Sequence, residues 1–273
     1  NVDDDTPIAL TAATSGTVDE DGLPGGNTAA ATGDVAGAAL SASGSVTGLF
    51  SAGADVPLAY SLSAITTSLP ALTSGGTALA YTVVGNVLTA SAGAATVFTL
   101  TLNATTGQWD FVLSARLDHA AGLSENDIAI DFGGLIVATD RDGDSVTATG
   151  NLIVTIDDDT QLLGNDSDTI ASGTYGPATG NILTDASAGD AGDSDSGADS
   201  FGADGGSLTA ITGFGGAGSI GGITIGQYGV LTLQPGGGCS YTRKPRKPGG
   251  VSDTLTFTVT AGPGDPTSAT LII

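Results

Sequence analysis

The sequence is short of cysteine, histidine, methionine, tryptophan and positive charge: one Cys, one His, no Met, one Trp, and six Lys and Arg together. Each shortage excludes something. A lone Cys239 permits no internal disulfide, so a disulfide framework does not hold this fold. With His119 the only histidine, no Cys/His set exists for zinc. No serine stands in a Gly-x-Ser-x-Gly elbow. Both lysines, Lys244 and Lys247, lie in one Pro-containing run, which leaves none for an intramolecular Lys–Asn bond. Glu is reduced to Glu20 and Glu125, and with Lys scarce and 44 glycines present, long helices are excluded. Six cations against 29 acidic residues give a net charge of −23, which opposes a nucleic-acid partner or an anionic membrane surface. No run approaches the ~20 apolar residues of a membrane-spanning helix, so no membrane insertion is expected. The opening Asn1-Val2-Asp3-Asp4-Asp5 lacks the character of a signal peptide. Charged residues make up 13% of the chain and mean hydropathy is +0.23, values that point to a folded protein rather than a disordered one.

What is present is period-two alternation. Trp109, Phe111 and Leu113 share one face of a strand pattern, as do Ile128, Ile130 and Phe132, then Leu152, Val154 and Ile156. Val97, Thr99 and Leu100 mark another alternating run, and Leu255, Phe257 and Val259 alternate with threonines further on. Such alternation with Gly, Asn and Asp punctuation predicts half-buried antiparallel strands, and many short ones make an all-β sandwich. Trp109 and Phe111 read as core rather than as a sugar platform. Weak repeats divide the chain. Val2-Asp3-Asp4-Asp5-Thr6 returns as Ile156-Asp157-Asp158-Asp159-Thr160, and Thr139–Asp144 is echoed at Thr260–Asp265. The expected organisation is an acidic linker at 1–7, a β-sandwich at 8–156, a linker at 157–160 and a second sandwich at 161–273. The chain reads as a piece of a longer array.

The aspartates carry the chemical signal. Asp140, Asp142 and Asp144 surround an Asp-Gly hairpin turn, where alternate carboxylates converge and repel by about 1 kcal/mol per pair in water. A hard cation with six to eight oxygen ligands relieves that repulsion, and this is calcium's preference. Asp3, Asp4 and Asp5, and likewise Asp157, Asp158 and Asp159, pose the same problem in the linkers. Asp19-Glu20-Asp21 and Glu125-Asn126-Asp127 add two further clusters, so Asp127 joins the candidate Ca2+ ligands. The spacing is not that of an EF-hand, because Asn151 stands where its closing Glu belongs. Catalysis is not expected, since carboxylates on exposed turns lack the burial that tunes a catalytic pKa.

Several strings resemble a long repeat of giant RTX-type calcium-dependent adhesins exported by type I secretion. They are Val18-Asp19-Glu20-Asp21-Gly22 through Asn27, Phe98–Gly107, Leu117-Asp118-His119-Ala120, Glu125-Asn126-Asp127 and Ala138–Asp144. The later part is similar to VCBS or cadherin-like domains of the same proteins, at Gly180–Thr184, Gly229–Leu233, Tyr241-Thr242 and Gly250–Phe257. The resemblance implies Ig-like modules, calcium at their junctions, an extracellular cell-surface location, and a stalk that projects a ligand-binding tip. The neighbouring modules of the same chain are then the expected partners. The second part departs from the pattern, with Ala261 and Pro263 where the first has Asp140 and Asp142, so only Asp265 remains of that tip. Gly236-Gly237-Gly238-Cys239 likewise replaces an expected Asp-Gly turn. Two other readings stay open: a filament or surface-layer subunit assembled from identical chains, and a glycan- or matrix-binding module using the acidic 185–206 loop or the run Arg243-Lys244-Pro245-Arg246-Lys247.

Overall fold

The computed structural model describes residues 5–27, 37–120, 126–184, 198–262 and 265–273. These form two compact units that meet in the sequence between Asp159 and Thr160. Both are all-β; among the described residues the only helical turns are the 3-10 segments Glu20–Gly22, Thr47–Leu49 and Gly133–Leu135.

The first unit is a β-sandwich. Its larger sheet runs in the order Ser41–Ser45, Gln108–Leu113, Ala95–Leu102, Val87–Ala92, Thr77–Val84 and Thr73–Ser74. Two three-stranded sheets, Ile128–Asp131, Asn151–Asp157 and Ala13–Asp19, then Ser145–Thr147, Ile136–Thr139 and Ala59–Leu62, and a short pair of Ile8–Ala9 with Phe50–Ser51 accompany it. Alternation decides which face is inside, because successive side chains on a strand point to opposite sides. Trp109, Phe111 and Leu113 are buried while Gln108, Asp110 and Val112 are exposed. The inner faces meet through aromatic rings, with Phe98 and Phe111 5.1 Å apart and Phe132 6.0 Å from each. Trp109 lies opposite Gly44, and a Cβ on Gly44 would stand 2.8 Å from the indole ring. Glycine is therefore required there by packing.

The second unit pairs a five-stranded sheet with a four-stranded one. The first runs Asp166–Ser167, Asp265–Ile272, Thr254–Ala261, Gly206–Gly213, Gly216–Ala217; the second runs Ala178–Asn181, Gly238–Arg243, Gly229–Leu233, Ile223–Ile225. Leu231, Leu233, Tyr241, Leu255, Phe257, Val259 and Leu271 fill the space between them. Each such apolar side chain contributes roughly 1.5–3 kcal/mol on burial. The Gly-rich segment after Leu233 makes a tight turn, in which Gln234 N–H reaches the Gly238 carbonyl at 2.8 Å and Gly237 takes φ +83°.

Three features differ from the sequence expectation. Val97 and Phe98 are both buried because a β-bulge shifts the register between Ala90 and Ser91, so the alternation there is broken. Not every strand pair is antiparallel. Asn151–Asp157 runs parallel to Ala13–Asp19, and Asp166–Ser167 runs parallel to Asp265–Ile272. Finally, Asp157 is the last residue of a strand, and Asp158 and Asp159 are buried with it in the first unit rather than spread along an exposed connector.

Candidate metal centres

The parallel pair builds the first site. Its register sets Val18 against Ile156 and Asp19 against Asp157, with both apolar residues fully buried. The core thus fixes the register, and each strand then delivers an acidic triplet to the same end of the unit. Asp19 closes its strand and caps the following 3-10 turn, accepting the Asp21 N–H at 2.8 Å. The turn carries Glu20 and Asp21 onto that end, beside Asp157, Asp158 and Asp159. All six carboxylates are between 0% and 9% exposed.

Neighbouring loops close around the cluster. Leu117 N–H donates to Glu20 Oε1 at 2.7 Å, and Asn126 N–H reaches Asp158 Oδ2 at 3.4 Å. Asn27 grips Asp159 twice, through its side-chain amide at 2.9 Å and its backbone N–H at 3.2 Å. His119 lies between the two triplets, with Nε2 3.3 Å from Glu20 Oε1 and Nδ1 3.7 Å from Asp158 Oδ1. Its Nδ1 is also 2.8 Å from the Asn126 carbonyl oxygen. Burial alone lowers the imidazole pKa. The Glu20 hydrogen bond and charge, then the Asp158 charge and the Asn126 carbonyl, outweigh burial and raise it from 6.5 to about 9. His119 is therefore a cation at neutral pH, with both ring nitrogens turned to acceptors, and serves the cluster as a counter-charge.

The donor set fits a hard cation. Carboxylate oxygens dominate, and taking charges out of water costs several kcal/mol per ion unless they are compensated. Calcium takes six to eight oxygens in a flexible shell; Glu20 and Asp158, whose ligand atoms lie within 4.8 Å of each other and of His119, are the residues that would hold it, with Asp19 and Asp157 in register beside them.

The second site is the hairpin between Ile136–Thr139 and Ser145–Thr147. Asp140, Asp142 and Asp144 each bring a carboxylate oxygen within 4.8 Å of the others. Asp140 is buried, and its Oδ1 accepts the N–H groups of Gly143 at 3.0 Å and Asp144 at 2.8 Å. Burial pushes its pKa up, but the Asp142 side chain and the turn N–H groups outweigh this and hold it below the ordinary carboxylate value. Gly143 has φ +113°, a conformation that favours glycine.

Among the described residues, Asp5 and Asp127 do not join either site. Asp5 is exposed and accepts the Ala54 N–H at 2.6 Å, which makes it a loop cap. Asp127 is exposed on the strand side of Asn126. Asp3, Asp4 and Glu125 lie outside the described residues, as do residues 185–197 of the acidic loop. The expectation that these acids sit exposed on turns fails for the two triplets, because non-local strand pairing buries them. His119, Asn27 and Asn126 were missed as site residues. Their one sequence signal was position, each falling beside an acidic cluster.

Comparison with known proteins places the first unit. Residues 15–153, half of the chain, match the model of a domain of unknown function, DUF5801. The chain belongs to the DUF5801 family. The matched region begins in the strand that carries Asp19 and ends within the strand that carries Asp157. No curated protein matches the sequence. Solved structures similar to this DUF5801 chain include the protocadherin gammaB7 EC3-6 cis-dimer, at 14% identity and TM-score 0.29, covering 99% of this chain and 52% of that one. PcdhgB3 EC1-4 is similar at 13% identity and TM-score 0.28, covering 98% and 50%. Mouse clustered PcdhgC3 EC1-3 is similar at 16% identity and TM-score 0.20, covering 64% and 50%. The chain spans about half the length of these structures.

Proposed function

We propose that this DUF5801 chain is a calcium-binding extender segment of an extracellular adhesin, mechanical rather than catalytic in its role. The observation that carries the reading is the convergence of Asp19-Glu20-Asp21 and Asp157-Asp158-Asp159 at the end of one parallel strand pair. A cation bound there stabilises the folded end of the unit and scarcely touches the unfolded chain, in which the triplets are far apart. Asp159 is also the last residue of the first unit. Fixing it fixes the point at which the chain leaves that unit, which is what a stalk needs of each joint. The sequence resemblance to calcium-dependent adhesin repeats supports the same reading, and the Asp140–Asp144 hairpin is proposed as a second, weaker calcium site.

Extracellular calcium modules bind at roughly 10⁻⁴–10⁻³ M, so the joint is firm outside a cell and slack within it. Titration calorimetry on the whole chain tests the proposal. Calcium is expected to bind in that range, and magnesium much more weakly because it gives up its water reluctantly. Equal heats for the two ions, or none for either, overturn it. Light scattering of the same calcium-loaded sample separates an extender, which stays monomeric, from a filament subunit, which assembles.

A further inference from the structure

The larger sheet of the first unit has an open edge. Its strand Thr77–Val84 is eight residues long and pairs with Val87–Ala92 on one side. On the other side, among the described residues, only Thr73–Ser74 pairs with it, at Ala78 and Thr77. Leu79 N–H then reaches the Leu72 carbonyl at 2.9 Å. The chain before Leu72 turns beneath the sheet: the Tyr81 ring packs on Phe98 of the core, and its hydroxyl donates to the Pro70 carbonyl at 2.8 Å. The edge from Ala80 to Val84 is left uncovered. Parity decides which backbone groups face outward there. The two-residue turn Gly85-Asn86 closes on the pair Val84 and Val87, and bonded and non-bonded pairs alternate along an antiparallel ladder. The odd-numbered residues therefore turn N–H and C=O away from Val87–Ala92. Leu79 does so, as its bond to Leu72 shows, and Tyr81 and Val83 follow, with no partner among the described residues.

Exposed edges are ordinarily blunted by charge, proline, a bulge or brevity. Thr77–Val84 has none of these: its sequence holds no charge and no proline, and its register with Val87–Ala92 is unbroken from Leu79 to Val84. Val84, 79% exposed, adds an apolar side chain beside Val87. Charge selects the occupant. The chain carries a net charge of −23, yet from Val56 to Trp109 it has no Asp, Glu, Lys, Arg or His. Copies of such a chain repel over their acidic surfaces, and cationic partners are drawn to those surfaces instead. The neutral edge is where two copies meet without bringing like charges together. It is also its own complement. A two-fold axis at Thr82 sets Tyr81 against Val83 of the second copy and Val83 against its Tyr81, each pair exchanging both N–H···O bonds. We propose that two copies of this chain pair edge to edge through Ala80–Val84 as a closed antiparallel dimer. The pair uses the same edge of both copies, so it ends at two and is not a filament. So short a contact falls well below the roughly 1,200 Å² of stable complexes, which sets Kd on the order of 1 mM. The chain is then monomeric at the micromolar concentrations of light scattering, while copies held side by side reach the millimolar range as an effective concentration. This goes beyond the extender reading and does not depend on calcium.

The test is sedimentation equilibrium of the whole chain from about 0.05 to 2 mM, in about 0.15 M salt to screen the net charge, with amide chemical shifts followed over the same range. The average mass is expected to climb from one copy toward two, with shifts centred on residues 80–84. Val83→Pro removes an outward donor, spares the ladder to Val87–Ala92 and should weaken pairing at least about tenfold. Thr82 is exposed and meets its own copy across the axis. Thr82→Lys and Thr82→Glu each oppose like charges there and should weaken pairing at least about fivefold, while their equal mixture should recover it. An unmoved melting midpoint by Trp109 fluorescence shows that a variant is folded, Trp109 being the sole tryptophan and buried in this unit. If proline lowers that midpoint, the Lys and Glu variants decide. A single-copy mass at 2 mM overturns the proposal, as do growth beyond two copies, wild-type pairing in Val83→Pro, or no recovery in the mixture. If the chain alone stays monomeric but a Thr-Val repeat peptide shifts these amides, the edge accepts foreign strands and self-pairing is wrong.

Discussion

Replacing Asp157 by Asn should strengthen the first unit in chelator and remove most of its response to calcium. Asp157 is fully buried and lies in register with Asp19 on the adjacent strand. Adjacent strands are about 5 Å apart, and two unit charges at that separation repel by about 3 kcal/mol at an effective dielectric of ~20. The His119 imidazolium offsets part of this, so deleting one charge should return about 1–3 kcal/mol. A unit of this size shifts by roughly 2–4 °C per kcal/mol, which makes the expected gain about 2–12 °C in chelator.

On the proposed reading, calcium reverses the balance. At 10 mM, a site with Kd between ~10⁻⁴ and ~10⁻³ M stabilises by about 1.4–2.7 kcal/mol, or roughly 3–11 °C. The wild type should show that increment and Asp157→Asn less than half of it. The assay needs no truncation, because Trp109 is the only tryptophan and is fully buried in the core of the first unit. Its fluorescence follows that unit alone within the intact chain. If Asp157→Asn lowers the chelator midpoint, the carboxylate is stabilised by its protein neighbours rather than repelled by them. If the two proteins gain equally from calcium, Asp157 is not part of a calcium site. Either result refutes the reasoning.

Gly44→Ala places a methyl group 2.8 Å from the Trp109 ring and should cost about 1–3 kcal/mol, read as a lower tryptophan-monitored midpoint with the second unit's calorimetric transition unmoved. In the second unit, Asp253 is buried and accepts three backbone N–H groups, from Gln227 at 2.7 Å and from Tyr228 and Gly229 at 3.0 Å, together with the Tyr241 hydroxyl. Asp253→Ala orphans all four donors and should cost at least about 3 kcal/mol, measured as a lower calorimetric midpoint for that unit. Burial first, then the hydrogen bond and charge of Asp253, raise the Tyr241 pKa above its ordinary value of 10. A raised pKa gives stability that is complete below pH 10 and is lost as pH climbs beyond it. The second unit should therefore melt earlier at pH 11 than at pH 9, and Tyr241→Phe should abolish that component of the difference.

The strands were legible because their signal is local. Trp109, Phe111 and Leu113, and likewise Leu255, Phe257 and Val259, announce a buried face by alternation alone, and all six are inside. Val97 was not, since a bulge is a mismatch between two strands and leaves little trace in one of them. The acidic triplets were legible as cation ligands by composition, but not as partners of each other. Nothing local says that Asp19 faces Asp157; that follows from a parallel register held by Val18 and Ile156. His119 was invisible for a related reason. A single histidine reads as isolated until the fold puts Glu20 on one ring nitrogen and Asp158 by the other. Asp253 gave no local signal of its role, because its four donors come from positions 12 to 26 residues away.

Within the first unit, packing and charge divide the work. Leu152, Val154 and Ile156 are fully buried and give the Asn151–Asp157 strand an apolar reason to pair as it does, with or without a cation. The residues beyond Ile156 and Val18 have no such reason. Six buried carboxylates oppose their own convergence, and the His119 imidazolium beside Glu20 and Asp158 offsets part of that repulsion. The fold therefore holds the two triplets together against their repulsion at one end and leaves the sign of that contribution to the medium. A cation acts there on an element already positioned by the core, so it can tighten the exit at Asp159 without being needed to fold the sandwich. On the extender reading proposed above, that separation would let calcium act on a joint rather than on the existence of the module.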